Sequence, residues 1–204
     1  MMHSFLHAPL VLSLSLVSTL ALSSCVKEGP NVAAAPVPDE ITEQLGRYAK
    51  VFSFEGTLDP DESDQLLGRL CADSFRMSYS MPANGETPPM VLDMNFAVVL
   101  SLVHMMHEAA KGDEPSPMDI VPKDLSDGWV PFARHKPNLR IVEVLRHYPA
   151  GESVYITVIH DVHEGLPESV APGGAHNYET HLTWVKESDG WRLQNKIWVD
   201  VAGE

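Results

Sequence analysis

Residues 178–201 read YETHLTWVKESDGWRLQNKIWVDV, and this stretch decides how the rest of the chain is arranged. Leu182 and Trp184 alternate with polar neighbours on one arm; Trp191, Leu193, Ile197 and Val199 do so on the other. Asp189-Gly190 between them is a strong turn signal, because both residues tolerate positive φ. A hairpin carrying Trp184, Trp191 and Trp198 must bury one face, and the upstream helical segments offer the apolar surface for it. Strict alternation from the turn puts Leu182, Trp184, Trp191, Leu193, Asn195 and Ile197 on the core face. It sends His181, Thr183, Arg192, Gln194, Lys196 and Trp198 to the other face, with Trp198 marking a surface for a second copy. Asn195, inside, then needs a hydrogen-bond partner or a ligand.

The preceding strands follow the same logic. Residues 139–148 and 153–163 are two β-rich runs joined by Pro149-Ala150-Gly151-Glu152. An even loop pairs Tyr148 with Ser153 and Leu145 with Ile156. One face then collects Ile141, Leu145, Val154, Ile156, Val158 and Val162. Glu143 and His160 fall on that face as diagonal neighbours, while Asp161 and His163 go to the opposite one. A carboxylate beside an imidazole on an apolar surface is costly unless paired. It is also the composition of an acid–base dyad, so Glu143 and His160 are the candidate catalytic residues.

Upstream, Ile41, Leu45, Tyr48, Ala49 and Phe52 recur at helical spacing, predicting a helix over residues 40–54. Asp59-Pro60 opens a second helix, to about Ala72. Phe75 to Met81 alternates as a short strand, and Asp93 caps a third helix ending near Lys111-Gly112. His104 and His107 lie three apart on that helix, which does not match the His-Glu-x-x-His zinc spacing, so no metal site is expected. Residues 112–137 are proline-rich and read as an irregular lid anchored by Trp129, Val130 and Phe132.

The first 26 residues contain no Asp or Glu, and neither Lys nor Arg. An apolar run of about a dozen residues there suits an export signal and is too short to span a bilayer. It ends in Leu22-Ser23-Ser24-Cys25, which resembles the bacterial lipobox. That resemblance implies residues 1–24 as a lipoprotein signal peptide and Cys25 as the lipidated first residue of the mature chain. The cysteine sulfur would carry a diacylglyceryl group, its amine an acyl group such as palmitate. Residues 25–38 read as a flexible tether and 39–204 as the folded domain. Val26 follows the cysteine, not Asp. In a host with two membranes the expected location is therefore the periplasmic side of the outer one. The export segment also leaves Cys71 without a partner inside the chain, a buried thiol in an apolar stretch.

With 28 acidic against 14 basic residues and a formal charge of −14, the surface repels phosphates, and nucleic acid is not an expected partner. The hydrophobic share of 44% is that of a chain with an ordinary core.

Two helices, a short strand, a third helix and long hairpins ending in THLTWVKESDGWRLQNKIWVD resemble the nuclear transport factor 2-like superfamily, particularly its SnoaL-like bacterial branch. The resemblance covers roughly residues 39–201 and rests on element order and the Asp189-Gly190-Trp191 turn. It implies an α+β, NTF2-like or cystatin-like fold, in which a strongly bent antiparallel sheet wraps helices into a cone with an apolar pocket. Tyr48, Phe52, Leu100, Val103, His107 and Asn195 are the pocket candidates. The resemblance covers non-catalytic binders of small apolar ligands or partner proteins as well as dehydratases and isomerases. Pairing of two copies through the open sheet face is common in it. No cofactor is implied.

Overall fold

The computed structural model describes residues 36–81, 90–115, 120–121 and 123–200. The expected signal segment, Cys25 and most of the tether lie outside the described residues.

Helix α1 spans Asp39–Phe52, with Asp39 and Glu40 in its first turn and Lys50 in its last, as the helix dipole favours. Its apolar stripe buries Ile41, Leu45, Tyr48, Val51 and Phe52. Helix α2 spans Pro60–Leu70 and begins as its sequence predicts: proline opens it and the Asp59 carboxylate accepts the Glu62 N–H at 2.8 Å. Strand β1 (Cys71–Met81) follows at once, and strand β2 (Met90–Asn95) pairs with it antiparallel.

Helix α3 spans Phe96–Lys111. Its cap is Asn95, whose side chain accepts the Val98 N–H at 3.1 Å. The expected cap, Asp93, instead lies in β2 and pairs with Arg76 of β1. Gly112 ends α3 in the left-handed region (φ +94°), where glycine carries no Cβ penalty. The stretch expected to be irregular contains helix α4, Lys123–Arg134, with Pro131 in its last turn. α4 brings Trp129 and Phe132 against the core, so the anchors were rightly placed even though the helix was not foreseen.

Strands β3 (Asn138–Pro149), β4 (Val154–Glu164), β5 (Ala175–Glu187) and β6 (Gly190–Asp200) complete one open sheet in the order β2-β1-β6-β5-β4-β3. The α+β class holds. The sheet is mixed rather than wholly antiparallel, because β1 runs parallel to β6. Helices α1 and α3 pack on its inner face, where the core lies.

Three register shifts decide which side chains enter that core. In β3 the register slips at Val142 and again at Leu145. The two slips leave Val142 and Leu145 exposed and turn Leu139, Ile141, Val144 and His147 inward. In β6 it slips at Gln194: Thr183 pairs with Asn195, but Trp184 pairs with Leu193. One extra residue reverses the alternation beyond it. Lys196 and Trp198 therefore point into the core at 1% and 3% exposure, while Ile197 is 44% exposed. The expected inward Asn195 and Ile197, and the outward Lys196 and Trp198, are corrected by this single bulge. His181 does face outward, beside Glu179.

The third correction concerns β4. Its core face is Tyr155, Thr157, Ile159, Asp161 and His163, the opposite of the face expected from counting aliphatic residues. The polar members are admissible inside because each has a partner there. The Trp184 indole N–H donates to Thr157 at 2.9 Å, and Asp161 and His163 are bonded to α1 and β5.

Candidate functional site

The end of α1 creates the first demand on the site. The last carbonyls of a helix have no intrahelical partner and need a donor when buried. Two histidines supply it. His107 of α3 donates from Nε2 to the Val51 carbonyl at 3.1 Å and accepts the Leu58 N–H on Nδ1 at 3.2 Å. His163 of β4 donates from Nε2 to the Phe52 carbonyl at 3.1 Å. Since a carbonyl can only accept, Nε2 carries the proton in each ring. Burial disfavours the charged imidazole and lowers His107 to about 4 and His163 to about 3. Both rings are neutral at pH 7. His107 is fully bonded, whereas Nδ1 of His163 is a buried lone pair with no partner.

One turn back along α1, Tyr48 reaches across to the sheet. Its hydroxyl donates to Oδ2 of Asp161 at 2.7 Å, and the Thr180 hydroxyl of β5 donates to Oδ1 at 2.7 Å. Burial raises the Asp161 carboxyl above its usual value, opposed by Lys196 and by these two hydroxyls. Burial and the neighbouring carboxylate push the Tyr48 phenol well up. Beside them the Lys196 amine lies over three aromatic faces: Phe52 at 3.8 Å, Trp198 at 3.9 Å and Tyr48 at 4.8 Å from the ring centroids. Burial lowers Lys196 to about 7, with Asp161 pulling in the other direction. No ion pair within salt-bridge distance joins the two among the described residues.

Next to this cluster is a small apolar cavity of about 10 Å³, bounded by Phe52, Met77, Leu102, Met106, Trp129 and Trp198. Val103 and His163 also face it. The indole nitrogen of Trp198, like Nδ1 of His163, is buried without a partner. The surface the cavity exposes is wholly apolar, and these two nitrogens are buried behind it. Trp129 of α4 closes the outer side, packed on Trp198 at 4.8 Å and Phe132 at 5.8 Å between centroids.

The sequence-predicted residues divide accordingly. Tyr48, Phe52, Val103 and His107 are in or beside the site, Leu100 is half-buried at the core's edge, and Asn195 lies on the outer face. Glu143 and His160 do face each other, directly paired across β3 and β4, but on the outer face. Glu143 is exposed and makes no ion pair among the described residues, and His160 bonds Asn177 at 3.1 Å instead. The pair thus lies outside the inner-face cluster, with Glu143 exposed and His160 half-buried. The missed residues are Asp161, His163, Lys196 and Trp198. A lysine flanked by Asn195, Ile197 and Trp198 in a β-run was the available signal, and only the bulge at Gln194 turns it inward. Among the described residues no group of three or more His, Cys, Asp or Glu is placed to hold a metal, and no helix is long and apolar enough to cross a membrane. The thiol of Cys71 is free and buried, and burial raises it far above its usual value.

No protein-family model and no curated protein matches the sequence. Solved structures do resemble the fold. An NTF2-like protein with a cystatin-like fold from Novosphingobium aromaticivorans is similar with a TM-score of 0.48 at 13% identity, over 81% of this chain and 82% of that one. A protein from the same organism described as a putative aromatic ring hydroxylase gives 0.47 at 8% identity, over 83% and 94%. An NTF2-like protein of unknown function from Shewanella baltica gives 0.44 at 9% identity, over 81% and 94%. The roles of residues in this chain therefore rest on its own geometry.

Proposed function

We propose that this chain is a lipid-anchored protein of the cell envelope whose domain binds a small, mostly apolar molecule without turning it over. One observation carries the binding half: the wholly apolar cavity under Trp129, bounded by Phe52, Met77, Leu102, Met106 and Trp198. The volume at rest suits about one water molecule, so a ligand enters only as α4 and Trp129 move outward. Apolar contacts with Trp129, Trp198 and Met106 provide the affinity.

Titrating the full-length protein with naphthalene and following tryptophan fluorescence tests the reading. Saturable binding is expected, and it should weaken in Val103→Phe, which fills the cavity, provided circular dichroism confirms that the variant is folded. Equal binding by a folded Val103→Phe protein overturns the assignment. The lipid anchor rests on Leu22-Ser23-Ser24-Cys25 and the apolar run before it. Cys25→Ser should release the protein from the membrane fraction, and undiminished membrane association would sink that half of the proposal.

A further inference from the structure

We propose that Lys196 has no part in admitting a ligand and that Lys136 does: it is the hinge on which α4 opens, and its strained backbone sets how often the cavity is open. The inference rests on the cavity being the ligand site only for what the opening admits. The motion itself stands on backbone geometry and packing.

The hinge lies where α4 meets β3. Among the described residues Lys136 is the one non-glycine residue with a positive φ, +54°. A side chain crowds the backbone in that region, which is why glycine so often ends a helix there. Pro137 follows, and a proline ring pushes the residue before it toward extended backbone. Two local rules thus oppose this conformation, and contacts on either side impose it. Toward α4, the His135 and Lys136 N–H groups donate to the carbonyls of Phe132 at 3.1 Å and Ala133 at 2.8 Å. Toward the sheet, the Pro137 carbonyl accepts the Phe54 N–H at 2.8 Å and fixes that side of the hinge. Relaxing Lys136 to extended backbone therefore turns α4 relative to β3.

The packing shows what that turn uncovers. Trp129 lies on Trp198 at 4.8 Å with Tyr79 edge-on at 6.1 Å, and Phe132 meets His163 edge-on at 5.1 Å between centroids. The two rings beneath α4, Trp198 and His163, carry the buried nitrogens that have no partner. Closed, α4 keeps both from water, which is unfavourable. Open, it gives water a route to them and loses the aromatic contacts instead. Closure is a balance, with apolar packing on one side and hinge strain with two dry nitrogens on the other. Pro131 removes a backbone donor from the last turn of α4, and the exposed Arg134–Glu114 ion pair at 3.0 Å adds little to the latch. Trp129 is the main catch. A ligand enters through the open state, so the population of that state scales its rate of entry.

The test is thiol labelling at a position that α4 covers. Met106 lines the cavity beneath Trp129. Met106→Cys in the full-length protein is treated with methyl methanethiosulfonate and read by peptide mass mapping. Cys71, buried outside the cavity, reports global unfolding in the same digest. Adding Lys136→Gly removes the strain and should slow labelling at position 106 roughly fivefold. Lys136→Val, whose branched side chain fits the left-handed region worse, should quicken it by a similar factor. Trp129→Ala should quicken it most, with Cys71 unchanged. Equal labelling at position 106 in the Lys136→Gly and Lys136→Val proteins overturns the hinge. Labelling there that follows Cys71 in every variant reports unfolding and also overturns the proposal. Labelling that follows the hinge in a protein that binds no naphthalene overturns the cavity as a ligand site and leaves the hinge standing.

Discussion

The two faces of the sheet each carry an acid beside a nitrogen base, and the pairs behave differently because of where the strands put them. On the outer face Glu143 and His160 are direct cross-strand partners, the first exposed and the second half-buried. On the inner face Asp161 and Lys196 come from strands separated by β5, and both are at most 2% exposed. Water screens the first pair to a small interaction. Burial makes the second costly to hold and costly to break, and moves both groups from their ordinary pKa values. Proximity of an acid and a base is therefore a poor guide to chemistry. The surroundings of the pair decide.

The comparison breaks most completely if the bulge is removed. Inserting one alanine between Thr183 and Trp184 gives Gln194 a cross-strand partner, restores strict alternation in β6, sends Lys196 and Trp198 outward and drives Asn195 and Ile197 into the core. Loss of the cooperative thermal transition is expected. An insertion variant with near-normal melting would show that the bulge is not what sets the inner face. Next in size, Asp161→Ala orphans the buried Tyr48 and Thr180 hydroxyls. Urea unfolding should register a loss of about 1–3 kcal/mol for each.

Acid should separate the faces by a smaller amount. Unfolded, each imidazole takes up a proton near pH 6.5; folded, His107 resists to about 4 and His163 to about 3. The unfolded chain thus binds more protons across that interval, and stability falls as pH drops from 6.5 toward 4. His163→Gln, whose amide can still donate to the Phe52 carbonyl, should flatten the fall in urea midpoint by about one proton's worth. Lys196 acts in a different window. Between about 7 and 10.5 its unfolded form holds a proton the folded amine has released, so its contribution grows as pH rises. The smallest effect belongs to the outer face. Glu143→Gln should shift unfolding by no more than about 0.5 kcal/mol. A loss of 2 kcal/mol or more there would remove the contrast.

Much of the architecture was legible. Helical spacing from Ile41 to Phe52, the Asp59-Pro60 start and the Asp189-Gly190 turn each express a local rule that holds within a few residues. The β3–β4 hairpin was also legible as a pair of strands. Its inner face was not, because two register slips in β3 carry no sequence mark and because aliphatic content was a misleading guide to β4. Val158 and Val162 are buried too, yet they sit on the outer side. Asp161 and His163 are inside because α1 ends opposite them with a phenol and a bare carbonyl to bond. Tyr48, Phe52, Val103 and His107 fell on the buried side of α1 and α3 as read, because helical periodicity is insensitive to a slip in a distant strand.

By itself the sequence determined most of the elements and their order, β2 and α4 excepted, the turn that closes the last hairpin and the acidic balance of the surface. These depend on propensity, spacing and charge, which act over a few residues or add over all of them. Only the tertiary structure decided which way each strand faces. In the stretch from Tyr178 to Val201 that decision turned on one extra residue at Gln194. With strand alternation of period two, a single unpaired residue exchanges inside for outside, and so placed Lys196 and Trp198 in the core.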